Sequence, residues 1–394
     1  MKNRATKVMI YCQDSFGLGH LRRNVNIANE LSRLAPNTII LFVADSPLAP
    51  FFALPPNGDF VKLPTIIKVD AGVWKAHRLP LIGTDHIRAI RSEIIKEVAF
   101  SFRPDVLLVD HMPHGAKGEL IESLRSLRQQ FPHTQIVLGL RDILGAPEVI
   151  AWQWRSEGAY TVIAEYYNLI FVYGCQDVYD LAHEYEFSAD LQRKVRYCGY
   201  VCPAATGNPQ AVAKLSFLFS TEKPFTVLVM GGGGSDAYFF MNTMLDAIQY
   251  LGSEAPFNTF MVTGPFMPAK ERQALLKKAA RLPVVVKRME NDSLKYLREV
   301  DLVVSMAGYN TTCEILKFTK KAVVIPRAGP SAEQSIRSNL LHERGLIFSI
   351  HPRDLTPPIL AEAILARLHE PNGVNMARLI DLNGATHAAR FLLD

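Results

Sequence analysis

The chain has 394 residues, 48% hydrophobic and 21% charged, with a formal net charge of +5. This length predicts two or three domains of ordinary water-soluble composition, and the mild basic excess suits an anionic ligand or membrane surface but forms no nucleic-acid patch. Five scattered cysteines, with no second Cys/His pair near Cys198 and Cys202, argue against zinc and for free thiols in a reducing cytosol.

No run of 18 apolar residues exists, so no spanning helix is expected. The basic start, MKNRATKVMIYC, runs straight into a strand without a signal-peptide core. The expected location is cytoplasmic, with peripheral contact to the inner face of the membrane left open.

Residues 7–11 read as a first strand, and residues 12–19 as a turn with two glycines. A helix follows with Leu21, Val25, Ala28, Leu31 and Leu34 on one face and Arg22, Arg23, Asn26 and Glu30 on the other. A second strand spans 38–43. Five prolines between 45 and 64 predict mostly loop, with a short third strand at 60–62. Residues 69–84, with Trp74, His77 and Arg78, read as a long loop of the kind that covers a ligand.

A helix over 85–102 leads to a buried strand ending in Asp110-His111, with His114 just beyond. After a helix at 117–131, the strand 135–140 ends in Arg141-Asp142. Ligands of open α/β sheets bind outside the carboxyl ends of strands. Asp14 and His20, Asp110 and His111, and Arg141 and Asp142 are therefore expected in one crevice. Histidine exchanges protons near neutral pH, and a carboxylate beside His20 would orient its ring. A long helix at 148–167, a strand at 169–173, a helix at 178–186 and a short strand at 195–197 complete the first half.

Residues 203–223 read as a linker and leading helix. The strand 224–230 runs into four glycines, 231–234, then Ser235 and Asp236. Glycines there let backbone N–H groups close on a phosphate, although no Gly-Lys-Ser/Thr follows to make a Walker loop. The helix 238–251, strand 258–263, helix 271–280, strand 284–287 and helix 292–298 come next. A strand at 302–305 then leads through Ala307 and Gly308 to a helix at 311–318, with Thr311 or Asn310 as N-cap. A strand at 322–325 is stopped by Pro326, and a helix at 332–344 is ended by Gly345. These two strand–loop–helix units present two helix N-termini at one sheet edge, which suits a diphosphate. Glu314 has the size to bind two ribose hydroxyls, and Glu333 and Gln334 are candidates for a sugar. A strand at 346–350 and helices at 356–368 and 377–393 close the chain.

Ala307, Gly308, Thr311, Glu314, Ile315, Leu316, residues 323–326 and Gln334 resemble the donor-site signature of GT-B glycosyltransferases. Within these, the pattern is most similar to the family that forms lipid II with N-acetylglucosamine. The loop Gly17-x-Gly19-His20-x-x-Arg23 resembles the N-terminal loop of GT-B enzymes, and is also similar to that of the UDP-sugar hydrolase of pseudaminic acid synthesis. Gly232, Gly233 and Ser235 resemble the Gly-Gly-Ser loop that opens the family's second domain, and Met289 sits where the family packs on the nucleotide base.

The resemblance implies an α/β, GT-B fold with two Rossmann-like doubly wound domains facing across a cleft. Their expected bounds are 1–203 for the acceptor domain and 204–375 for the donor domain, with a helix in 376–394 returning to the first domain. The implied function is metal-independent transfer of a sugar from a nucleotide-diphosphate donor, UDP-linked, to an acceptor hydroxyl with inversion. His20 or Asp110 is the base. Gly19, Gly232, Gly233, Ser235, Met289, Gly308, Asn310, Thr311, Glu314, Glu333 and Gln334 bind the donor, and Asp14, Arg23, His111, Arg141 and Asp142 face the acceptor. No cofactor is expected, because the nucleotide sugar is a substrate. The partners expected are that donor and an unidentified acceptor, with no nucleic acid. A nucleotide-sugar hydrolase, an epimerase of the same architecture and a non-catalytic nucleotide-sugar binder remain open.

Overall fold

The computed structural model describes residues 5–14, 19–47, 49, 52–70, 73–77, 79, 81–203, 219, 223–288, 294–329, 331–371 and 379–394. The chain divides into two compact units, Met1–Cys202 with Asn383–Asp394, and Pro203–Leu382.

Unit 1 contains β1 (Lys7–Cys12), α1 (Gly19–Leu34), β2 (Ile39–Ala44), β3 (Gly58–Lys62), β4 (Ile66–Asp70), β5 (Val73–Ala76), α2 (Thr84–Phe102) and β6 (Val106–Asp110). It continues with α3 (Ile121–Gln130), β7 (Gln135–Arg141), α4 (Pro147–Ser156), α5 (Ala159–Tyr166), β8 (Leu169–Tyr173), α6 (Leu181–Glu184), α7 (Ala189–Lys194) and β9 (Val195–Tyr197). The main sheet runs β3-β2-β1-β6-β7-β8-β9 and is parallel throughout. Its central strands are near-continuous apolar runs because helices cover both faces, and Val8, Met9, Ile10 and Tyr11 are wholly buried.

Unit 2 contains β10 (Phe225–Met230), α8 (Tyr238–Leu251), β11 (Phe257–Val262), α9 (Ala269–Ala279), β12 (Val284–Lys287), α10 (Leu294–Leu297) and β13 (Leu302–Ser305). It ends with α11 (Tyr309–Lys317), β14 (Lys321–Val324), α12 (Glu333–Glu343), β15 (Phe348–Ser349) and α13 (Pro357–His369). Its parallel sheet runs β12-β11-β10-β13-β14-β15. Both sheets therefore step outward from their first strand and then reverse. This is the doubly wound order, whose switch point lies between β1 and β6 in one unit and β10 and β13 in the other. The last helix, α14 (Gly384–Leu393), belongs to unit 1.

Several elements differ from their sequence pattern. Residues 66–76 form an antiparallel hairpin, β4 with β5, in a stretch read mostly as loop. It packs Ile66, Trp74 and Ala76 against Ile82, Ile87 and Ala116, and its two strands are only five and four residues long. The long helix of 148–167 is two helices, broken at Gly158 in the left-handed region at φ 70°. The helix of 117–131 begins only at Ile121. The helix of 178–186 shrinks to α6, whose first turn is capped by Asp180 accepting from the His183 N–H at 3.2 Å. α11 starts two residues earlier than expected, with Gly308 as N-cap in place of Asn310 or Thr311.

Candidate functional site

Both switch points carry polar side chains. In unit 1, Asp14 lies two residues past the end of β1, is buried, and accepts from the backbone N–H groups of His20 at 3.2 Å and Leu21 at 2.5 Å. It thus caps the start of α1 and fixes where His20 projects. Its own N–H donates to Asp45 Oδ1 at 3.0 Å. Burial raises the Asp14 pKa, against the pull of His20 and the Leu21 N–H.

Asp110 ends β6, the strand beside β1, and is wholly buried. One carboxylate oxygen meets His20 Nδ1 and the other accepts from Arg23 Nη2 at 2.6 Å. Burial alone would raise the Asp110 pKa, but Arg23 and then His20 outweigh it and hold the carboxyl well below its ordinary range. With Asp110 accepting, the proton belongs on Nδ1, which leaves Nε2 as an acceptor. The His20 side chain keeps 19% exposure. Helical periodicity sets Arg23 opposite the apolar face of α1 and the loop resemblance sets it toward the acceptor; it is buried, because Asp110 supplies its countercharge inside. The face of Tyr173 packs 5.2 Å from the guanidinium carbon.

His111 follows Asp110 with φ at 69°, a strained value for histidine. Its ring centroid lies 5.1 Å from that of His20. Its Nδ1 is buried without a hydrogen-bond partner. Burial, then Arg141 and His20, push its pKa well below the ordinary value, so the ring is neutral at pH 7. Arg141 ends β7 and is partly exposed. Asp142 is buried, accepts from the Ile143 N–H at 2.8 Å, and has its Cβ close against Gly174. Thus His20, Arg23, Asp110 and His111 come together, Arg141 acts on His111, and Asp14 and Asp142 serve the backbone.

A second buried polar network, outside the sequence-predicted residues, lies beside this cluster. Arg91 on α2 donates to Glu119 at 2.6 Å from both Nε and Nη2, and to Gln13 Oε1 at 2.7 Å. Tyr11 donates to Glu119 at 2.6 Å, and Gln13 donates to Asp45 at 2.6 Å. Burial works against the Arg91 charge, but Glu119 outweighs it and raises the pKa. The available signal was Arg91 itself, a charge within the otherwise apolar stripe Ile87, Ile95, Ala99 of α2.

In unit 2, the glycine loop follows β10. Gly232 and Gly234 have φ of 58° and 90°. Gly234 lies so close to Thr263 O that a Cβ there would sit 2.1 Å away, so backbone is packed on backbone. Gly233 and Ser235 are exposed. The neighbouring strand β13 leads to Gly308, Asn310 and Thr311 at the start of α11. A Cβ on Gly308 would meet nothing within 4 Å. Glu314 is buried one turn further on. After β14, Gln334 Oε1 accepts from the Arg327 N–H at 3.0 Å, and Arg327 pairs with Asp236 of the glycine loop. Glu333 pairs with Arg337 at 2.9 Å, and Arg337 donates to Ala307 O at 2.8 Å. The loops after β10, β13 and β14 are thus tied together at one sheet edge. Met289 lies outside the described residues, as does Gly17. Among the described residues there is no helix long and apolar enough to cross a membrane and no His/Cys/Asp/Glu group able to hold a metal.

Residues 226–389 match the model of the glycosyltransferase family 28 C-terminal domain. The UDP-N-acetylglucosamine–N-acetylmuramyl-(pentapeptide) pyrophosphoryl-undecaprenol N-acetylglucosamine transferase of Agrobacterium fabrum is 27% identical over 204 residues, 48% of this chain and 52% of that protein. The chain spans about half the length of the curated relatives it matches. The crystal structure of Acinetobacter baumannii MurG superposes with a TM-score of 0.61 at 15% identity, covering 98% of this chain and 99% of that one. The S. aureus MnaA–UDP structure superposes at 0.65 with 12% identity, covering 98% and 95%. The chain therefore has the GT-B fold and resembles the lipid II-forming N-acetylglucosamine transferase family, carrying across residues 226–389 the likeness of that family 28 C-terminal domain.

Proposed function

We propose that the protein is a glycosyltransferase that moves a sugar from a UDP-linked donor to an acceptor hydroxyl. The observation that carries this reading is the edge of β10, β13 and β14, where a glycine loop and the starts of α11 and α12 lie side by side within the stretch matched by the family 28 domain. Backbone N–H groups and helix dipoles there would hold the diphosphate as it leaves, so the reaction is proposed as metal-independent and free of cofactor. Glu314 takes the ribose hydroxyls and Gln334 the sugar.

His20 is the proposed base and Asp110 its positioning residue. Asp110 is wholly buried between His20 and Arg23 and strongly favours its ionised form, which makes it a poor proton acceptor and a good orienting group. His20 Nε2 takes the acceptor hydroxyl proton as the oxygen attacks the anomeric carbon. The carbon–oxygen bond to the diphosphate breaks, and one direct displacement inverts the centre. The A. fabrum relative is named for a lipid-linked acceptor. A similar acceptor is proposed here, met at a membrane surface by the segment where Leu81 is 99% and Leu79 42% exposed.

The test is to incubate the full chain with UDP-, GDP- and dTDP-sugars without acceptor, following thermal stabilisation and nucleotide release together. Stabilisation by UDP-sugars with only slow release is the expected result. Fast release with free sugar would instead establish a hydrolase, the reading that the Gly19-His20-x-x-Arg23 loop also fits. Stabilisation by none of them overturns the proposal.

A further inference from the structure

Among the described residues at the proposed donor site, Arg327 has a geometry that the donor reading does not use. Arg327 follows β14, and its guanidinium pairs with Asp236, which ends the glycine loop after β10. β13 lies between these two strands, so the partners' strands stand about 10 Å apart. The ion pair therefore spans the end of β13, where Gly308 begins α11. The Arg327 backbone is pinned from behind by Gln334. Both side chains of the pair remain 36% exposed, unlike Arg23 and Arg337, which are buried. A carboxylate beside the glycine loop competes with a diphosphate there for the same guanidinium. Arginine also binds phosphate oxygens with two parallel N–H groups.

We propose that Arg327 is a donor-binding residue that exchanges Asp236 for the diphosphate, with Asp236 occupying the guanidinium while the donor is absent. This rests on the nucleotide-sugar reading above and adds to it a competitor built into the protein. Donor binding must break the Arg327–Asp236 pair, so the acid sets affinity from the opposite direction to the base.

The two variants accordingly move affinity in opposite senses. Binding of UDP, GDP and dTDP to the full chain is measured by titration calorimetry at fixed salt, first for the wild type and then for Arg327→Gln and Asp236→Asn. With whichever diphosphate the wild type binds, Arg327→Gln should weaken binding on the order of tenfold or more. Asp236→Asn should tighten it by about twofold or more, because the competing carboxylate is gone. Equal losses in both variants would make the pair a structural tie and overturn the inference. Unchanged affinity in Arg327→Gln would overturn it too. If the wild type binds none of the three, the nucleotide-sugar reading fails and this inference with it; if it binds and the variants fail to diverge, only the inference fails.

Discussion

Arg23 and Asp110 meet at 2.6 Å, with side-chain exposures of 1% and 0%. One comes from the fifth position of α1 and the other from the last residue of β6, so the pair locks helix to sheet where His20 is held. Deleting the acid leaves a guanidinium buried without its countercharge. Asp110→Ala should destabilise unit 1 by about 3–5 kcal/mol, measured by urea unfolding with a probe in that unit. A loss below about 1 kcal/mol would mean that the cation finds water.

His20→Ala should lower turnover by about 10²–10⁴-fold and leave the affinity for UDP unchanged, because every proposed donor contact except Gly19 lies in unit 2. Isotherms and initial rates on one preparation separate the two effects. A parallel fall in affinity would move His20 from base to donor-binding residue.

Two glycines of unit 2 should respond differently to the same methyl group. Gly234 has φ at 90° and Thr263 O 2.1 Å from any Cβ, so Gly234→Ala should cost stability, on the order of 1–3 kcal/mol. Gly308 has an ordinary φ of −65° and open space around its Cβ position. Gly308→Ala should melt at the wild-type temperature and lose nucleotide affinity. Unchanged affinity would remove the start of α11 from the donor site.

His111 makes acid costly. Its pKa is lowered by burial, with Arg141 and His20 adding to the shift. A histidine that binds its proton less tightly when folded contributes fully above the ordinary value near 6.5, and that stability is lost as pH falls below it toward the lowered folded value. Wild-type protein should therefore lose stability more steeply between pH 6.5 and 5 than His111→Asn, as urea midpoints across that range would report. Parallel curves would mean that the ring titrates freely.

The GT-B architecture was legible because buried parallel strands write themselves as apolar runs and their loops concentrate glycine, as at residues 231–234. The grouping of His20 with Asp110 was legible because strand ends converge at a known edge. Arg23 was legible only through the resemblance of the Gly19-His20-x-x-Arg23 loop: helical periodicity puts it on the polar face, and the position of Asp110, 87 residues away, turns it inward. Arg91 stands out as a charge in the apolar stripe of α2, but its partner Glu119, 28 residues on, is not marked by any local pattern. The hairpin at 66–76 escaped because its strands are only five and four residues long and follow a proline-rich stretch that reads as loop.

The crossing of α14 back onto unit 1 bears on the order of synthesis. Its Ala388, Ala389 and Leu392 are buried, Phe391 packs 5.8 Å from Phe171 between ring centroids, and His387 donates to Cys198 O at 2.9 Å. Thr386 donates to Glu30 on α1 at 3.1 Å. Unit 2 is continuous in the chain and has all its residues before Asn383 is made. Unit 1, by contrast, is interrupted: α1 waits for its covering helix across the 356 positions that separate Glu30 from Thr386, so the flank of α1 stays bare in a nascent chain until Asn383–Asp394 has been made.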